Sequence, residues 1–179
     1  HMLIERYGLK KEQNVTLLGI GMGSIGTLTL EGREAVRSAD LIVGARRMVD
    51  AVRLPGQDFL YEYRSREIAA YLAEHPEYTK VVVALSGDVG FYSGAKKLVE
   101  LLGPETKMIC GISSVVYFMS KIGLSWDDAK IVSAHGKTCN LISLIRENRK
   151  VFAILGTNDG VRNLAEKLTF YGMGDVILH

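Results

Sequence analysis

Apolar residues fall in short blocks along this chain, each followed by glycines or small polar residues and then by a stretch with helical spacing. Val15-Thr16-Leu17-Leu18 is the first block, Leu41-Ile42-Val43-Gly44 the second, Val81-Val82-Val83-Ala84-Leu85 the third and Lys107-Met108-Ile109-Cys110 the fourth. A five-residue apolar run with three β-branched members reads as a strand buried on both faces, the habit of parallel sheets. Between the blocks, Leu30, Ala35, Val36 and Ala39 recur at helical spacing, with Thr27 or Thr29 available as N-cap. Further helices are predicted over 45–52, from Ser65 to His75-Pro76, over 95–102, and through Met119 and Ile122; Phe59 and Tyr61 mark a short strand. Composition shifts at 123–128, and the pattern then resumes with a strand over 129–133, a helix over 140–149, a strand over 151–155, a helix over 161–170 and a last strand over 175–178. Such alternation predicts α/β architecture with mostly parallel sheets. It divides into an N-terminal arm (1–14), an α/β domain over 15–123 and a second α/β domain over 124–179. His1-Met2 has the look of a cloning scar, and a chain that stops in mid-strand at His179 implies a short missing tail.

Composition narrows the classes. With 47% hydrophobic and 23% charged residues the chain is an ordinary globular one. Its 22 Lys and Arg against 20 Asp and Glu leave a formal charge of +2, too small a field to argue for a nucleic-acid or membrane-surface partner. No apolar run is long enough to span a bilayer, and the N-terminal residues lack the apolar core of a signal peptide. Cys110 and Cys139 have no metal-site spacing, which fits a reduced, cytoplasmic protein with no metal of its own.

The chemistry is expected in the glycine-broken turns. After the third block the chain runs Ser86-Gly87-Asp88-Val89-Gly90 into a helix. Strand, glycine turn and helix make the joint at which open α/β sheets bind ligands. Asp88 is there either as a carboxylate for a ligand or as a helix N-cap. Gly21-Met22-Gly23-Ser24-Ile25-Gly26 matches the dinucleotide fingerprint, yet Asp40 stands before Leu41-Ile42-Val43 rather than after it, where a ribose would be held. Arg46-Arg47 at the far end of that strand keeps an NADP-binding oxidoreductase open as an alternative, as does a plain packing turn. No P-loop lysine follows. The turns after Leu18, Leu85, Cys110 and Leu155, with His135 after the strand ending at Ser133, would share one rim if the sheets are parallel. A cleft there would suit a small polar cofactor and a larger substrate.

These residues also point to a family. Gly19-Ile20-Gly21-Met22-Gly23 with Leu28-Thr29, then Ser86-Gly87-Asp88-Val89-Gly90-Phe91-Tyr92-Ser93, then Gly111-Ile112-Ser113-Ser114, then Ser133-Ala134-His135-Gly136-Lys137, resemble in order and spacing the tetrapyrrole (corrin/porphyrin) methylases. The Gly-Phe-Tyr-Ser run and the Ala-His-Gly loop are most similar to members that methylate carbon 5 of a precorrin or cobalt-precorrin in cobalamin biosynthesis. Two departures stand out: Val89 replaces a proline common in the family, and Gly23-Ser24-Ile25 replaces a Pro-Gly-Asp. The resemblance implies two α/β domains with S-adenosylmethionine in a cleft between them, usually as a homodimer. It implies cofactor contacts at Met22, Leu85, Asp88, Phe91, Ser113, Ser114, Leu155 and Gly156, and substrate contacts at Gly21, Gly23 and Ser24. A separate decarboxylating methyltransferase is expected in the same pathway.

The chemistry such a site needs is modest. A sulfonium methyl and an electron-rich ring carbon react by in-line displacement, so position and exclusion of water come first. His135 is the candidate general base; the plainer alternative is a loop histidine bonded to backbone or to a substrate carboxylate. Arg33, Arg37, Arg46, Arg47, Arg64 and Arg66 are candidates for pairing with substrate carboxylates, against the reading of solvated helix faces. The rivals are a methylase of the same superfamily acting on protein or RNA, the NADP oxidoreductase, and a non-catalytic module with no cofactor affinity.

Overall fold

The computed structural model describes residues 13–134, 139–156 and 159–179. The chain divides into two compact units between Tyr117 and Phe118. This division falls inside the helix Ser114–Ile122, six residues before the end of the first domain expected from the sequence.

The first unit is built on a five-stranded sheet. Its strands are β1 (Asn14–Gly19), β2 (Leu41–Gly44), β3 (Asp58–Tyr61), β4 (Lys80–Leu85) and β5 (Lys107–Ile109), in the order β3-β2-β4-β1-β5. Every pairing is parallel. β2 is buried along its whole length and β4 from Val81 to Ala84, as continuous apolar runs require. Four helices flank the sheet: α1 (Leu30–Ser38), α2 (Arg46–Val52), α3 (Ser65–Glu74) and α4 (Ala95–Leu102).

Two apolar clusters show which face each helix covers. Val36 and Ala39 of the α1 segment and Val49 and Val52 of α2 pack with Leu18, Ile42, Val82 and Ile109 on one face. Ile68, Ala69 and Leu72 of α3, with Ala95, Leu98 and Leu102 of α4, pack with Leu17, Leu41, Val43, Val81 and Val83 on the other. Each fully buried leucine or valine contributes roughly 1.5–3 kcal/mol by leaving water. The two outward crossovers from β1 therefore use one face and the two returning crossovers use the other. The chain changes direction at the adjacent strands β1 and β4, a topological switch point.

Small residues and caps set the joints. Thr29, not Thr27, caps α1: its hydroxyl accepts from the Gly32 amide at 3.0 Å. At the carboxyl ends of the strands three backbones converge. A Cβ on Gly111 would lie 2.2 Å from the Gly87 carbonyl oxygen and 2.4 Å from that of Gly19, so only glycine fits. Gly21 and Gly87 close the gap between β1 and β4, with amide-to-carbonyl bonds of 3.0 and 2.9 Å in the two directions. At the outer edge, Arg53 lies over the Phe59 ring at 4.4 Å and Arg46 over Tyr61 at 5.4 Å.

The second unit holds a two-stranded parallel sheet of β6 (Lys130–Ser133) and β7 (Val151–Ile154), with helices α6 (Leu141–Glu147) and α7 (Gly160–Phe170). Helix α5 (Ser114–Ile122) runs across the division of the chain. Lys150 ties the unit's entry loop by reaching Asp128 at 2.5 Å and the Ser125 carbonyl at 2.9 Å. The strand expected over 175–178 does not form: those residues are turn and coil, and Ile177 is exposed. Their run of three apolar residues, Val176 to Leu178, is too short to order a strand without a neighbour to pair with.

Asp40 has a structural task at the amino edge of the sheet. Its Oδ2 accepts from the Thr79 amide, the Thr79 hydroxyl and the Lys80 amide at 2.9–3.0 Å. The Lys80 amide and then the Thr79 hydroxyl hold its carboxyl below the usual carboxylate range. A carboxyl whose folded pKa is depressed stabilises the fold above its unfolded pKa and loses that contribution as pH falls through the folded one. Acid unfolding of Asp40→Ala should accordingly show a shallower dependence on pH below about 4 than the unsubstituted protein. At neutral pH the variant should be destabilised by about 1–2 kcal/mol in urea. In the glycine junction, Gly111→Ala forces the β4 and β1 ends apart. It should lower stability by about 2–4 kcal/mol, a loss read in the same urea titration.

Candidate functional site

The carboxyl rim of the first unit's sheet gathers most of the residues singled out in the sequence. Loop 1 (residues 20–29) leaves β1, loop 4 (86–94) leaves β4 and loop 5 (110–113) leaves β5. β1 lies between β4 and β5, so the three loops are neighbours.

Loop 1 turns through Gly21 and Gly23, at φ +64° and +80°, both in the left-handed region that glycine adopts freely. A buried threonine fixes it. The Thr27 hydroxyl accepts the Met22 amide at 3.1 Å and donates to the Ser24 carbonyl at 3.0 Å. Thr27 lies in a short 3-10 turn (Ile25–Thr27). The sequence reading missed this role, because hydroxyls near a helix start are read first as caps. Its signal was the position: two residues before a better cap and five after the amide it receives.

Loop 4 is held by Asp88. Its Oδ1 accepts from the Gly90 amide at 2.8 Å, and its Oδ2 accepts from the Gly111 amide at 3.0 Å. Asp88 is not the N-cap of α4. That helix follows Gly94, and the Ser93 hydroxyl accepts from the Ala95 amide at 3.2 Å. The carboxylate therefore closes its own turn and clasps loop 5 to loop 4. Loop 5 leads into Ser113, which is buried, and Ser114, which opens α5.

Gly21, Met22, Gly23, Ser24, Leu85, Asp88, Phe91, Ser113 and Ser114 therefore share this rim. Met22, Leu85 and Phe91 are half-buried and Ser24 is exposed. A Cβ added at Gly23 or Gly94 would meet no atom within 4 Å, so neither loop is crowded at these positions. Glycine turns without side chains, two serine hydroxyls and half-buried apolar residues suit a compact polar cofactor with an apolar part. In the second unit, Leu155 and Gly156 follow β7. His135 lies outside the described residues. Among the described residues no group of three His, Cys, Asp or Glu side chains could hold a metal ion.

The structure sorts the six arginines. Arg33 is half-buried in the first turn of α1, directly after loop 1. Arg37 pairs with Glu34 at 2.9 Å late in α1, away from the loops. Arg64 is gripped by Glu62, with Nη2 to Oε2 at 2.7 Å and Nε to Oε1 at 3.1 Å. The Arg64 side chain pulls the Glu62 carboxyl down to about 2. Arg46 approaches Asp50 at 3.7 Å. Arg47 and Arg66, each second in its helix, stand on the carboxyl side of the sheet, where α2 and α3 begin.

The dinucleotide alternative loses its acid. Asp40 is committed to Thr79 and Lys80 at the opposite edge of the sheet from the glycine loop. No helix among the described residues is long and apolar enough to cross a membrane.

Comparison with known proteins bears on the family. The chain is 28% identical over 162 residues to the cobalt-precorrin-7 C(5)-methyltransferase of Salmonella typhimurium, covering 89% of this chain and 80% of that protein. It is 30% identical over 146 residues to the probable cobalt-precorrin-7 C(5)-methyltransferase of Methanocaldococcus jannaschii, covering 76% and 69%. The crystal structure of uroporphyrin-III C-methyl transferase from Thermus thermophilus complexed with S-adenyl homocysteine shares the fold, with a TM-score of 0.65 and 20% identity over 89% of this chain and 77% of that one. The model of the Tetrapyrrole (Corrin/Porphyrin) Methylases matches residues 14–175, from the first residue of β1 to beyond the last helix, and the chain belongs to that family.

Proposed function

We propose that this chain is an S-adenosylmethionine-dependent C-methyltransferase that methylates carbon 5 of a cobalt-precorrin or precorrin intermediate in cobalamin biosynthesis. The observation that carries the reading is the rim itself: the family's motifs at Gly21, Asp88 and Ser113 meet at the ends of three neighbouring strands, in a chain similar to cobalt-precorrin-7 C(5)-methyltransferases.

S-adenosylmethionine, when bound, supplies a methyl group on a sulfonium, already a good leaving group. The chain has then to bind, orient and exclude water. Met22, Leu85 and Phe91 offer apolar surface for the cofactor, Ser113 and Ser114 offer hydroxyls, and Asp88 keeps loops 4 and 5 in register. Leu155 and Gly156 are further cofactor residues in this reading. Gly21, Gly23 and Ser24 serve the substrate, whose approach needs a loop without bulky side chains. Arg47 and Arg66 are the best placed of the arginines for its carboxylates. His135 takes the proton released after methyl transfer. We also infer that the protein works as a homodimer in the cytoplasm, in a pathway with a separate decarboxylating methyltransferase.

Calorimetric titration separates the classes. S-adenosylhomocysteine should bind the unsubstituted protein and NADPH should not. Asp88→Ala should weaken S-adenosylhomocysteine by about tenfold or more, roughly 1.4 kcal/mol, because loops 4 and 5 lose their clasp. Unchanged affinity would remove Asp88 from the site. For His135→Ala, kcat should fall by about 100-fold while KM moves little, as for loss of a general base. Full turnover in that variant would make His135 a loop residue only.

A further inference from the structure

One residue of the rim carries a conformational cost that the packing around it does not offset. Tyr92 has φ +50° and is the sole non-glycine residue with positive φ among the described residues. A bulky L residue in the left-handed region is disfavoured, and glycine would occupy it without strain. The other left-handed position of the same loop is taken by glycine, Gly87 at φ +67°. The Tyr92 ring gives little back to the core: the residue is 54% exposed. Its aromatic contact is edge-on to Phe91, with centroids 5.0 Å apart and planes at 76°.

The surroundings enforce this conformation. Asp88 spends both carboxylate oxygens on loops 4 and 5. The Phe91 amide donates to the Asp88 carbonyl at 3.1 Å, and the Ser93 hydroxyl donates to the Val89 carbonyl. Tyr92 is thus fixed from both sides and its ring is presented outward at the carboxyl rim of the central strand. Strain held in place by its neighbours, with the side chain left outside the core, is characteristic of positions that meet a ligand.

We propose that Tyr92 is a substrate-contact residue whose ring face receives the apolar face of the tetrapyrrole macrocycle; this rests on the methyltransferase reading above. An aromatic ring offers a large, stiff apolar surface at low entropic cost, which suits a broad conjugated ligand. The half-buried Phe91 beside it is the deeper of the pair and stays with the smaller cofactor.

The test compares the full-length protein with Tyr92→Gly and Tyr92→Phe. With cobalt-precorrin-7 as substrate, Tyr92→Gly should raise KM by about tenfold, the effect of losing one stacked aromatic contact. Its dissociation constant for S-adenosylhomocysteine should stay within about twofold, and its melting midpoint should be unchanged or higher because the backbone is relieved. Tyr92→Phe, which keeps the ring face, should restore KM. An unchanged KM in Tyr92→Gly, or a lowered midpoint as its only effect, would make Tyr92 a packing residue and overturn the assignment. Equal losses of cofactor and substrate affinity would give the ring to the cofactor and overturn it too. Should the unsubstituted protein bind no S-adenosylhomocysteine, the methylase reading itself fails and this assignment falls with it.

Discussion

The meeting of three backbones at Gly19, Gly87 and Gly111 is the constraint on which the rest of the first unit depends. Strands β1, β4 and β5 come so close at their carboxyl ends that no Cβ fits on Gly111. Backbone groups packed at that distance must satisfy one another or be satisfied by a neighbour. Gly21 and Gly87 exchange amide bonds across the gap, and the Gly111 amide finds the Asp88 carboxylate. The same contacts that complete the sheet thus shape the floor of the site. A ligand above this floor meets loops whose amides are already ordered, so little conformational entropy has to be lost on binding.

Much of this was legible in the sequence. The apolar blocks gave the strands because a strand buried on both faces has no polar side to hide the signal. The glycine turns and the family motifs gave Gly21, Asp88 and Ser113, which the fold brings to one rim. What Asp88 does there was less legible. A carboxylate after a glycine turn reads equally as ligand group or helix cap, and its partner Gly111 lies 23 residues away in sequence, set only by the sheet order. Thr27 was obscured for a similar reason, since its bond to Met22 depends on a left-handed turn at Gly21. The last predicted strand failed because 175–178 carries an apolar pattern without a neighbour to pair with.

The sheet's two edges have different duties. At the amino edge Asp40 gathers three donors from Thr79 and Lys80 and keeps β2 and β4 in register. At the carboxyl edge the loops are closed by glycine and by one carboxylate, with Tyr92 held in a costly conformation. An acid before β2 rather than after it is therefore no defect of a dinucleotide site. It belongs to the scaffold, which leaves the opposite side free for chemistry.

Strand β3 ends the sheet on one side, and its outward backbone would be a template for another chain. The guanidinium groups of Arg53 and Arg46 sit over Phe59 and Tyr61, on the aromatic surface that an incoming strand would cover. An intruding peptide would have to strip water from two cations before it could add to the edge. Cations placed on an edge strand are one of the devices by which a sheet discourages pairing with a second chain.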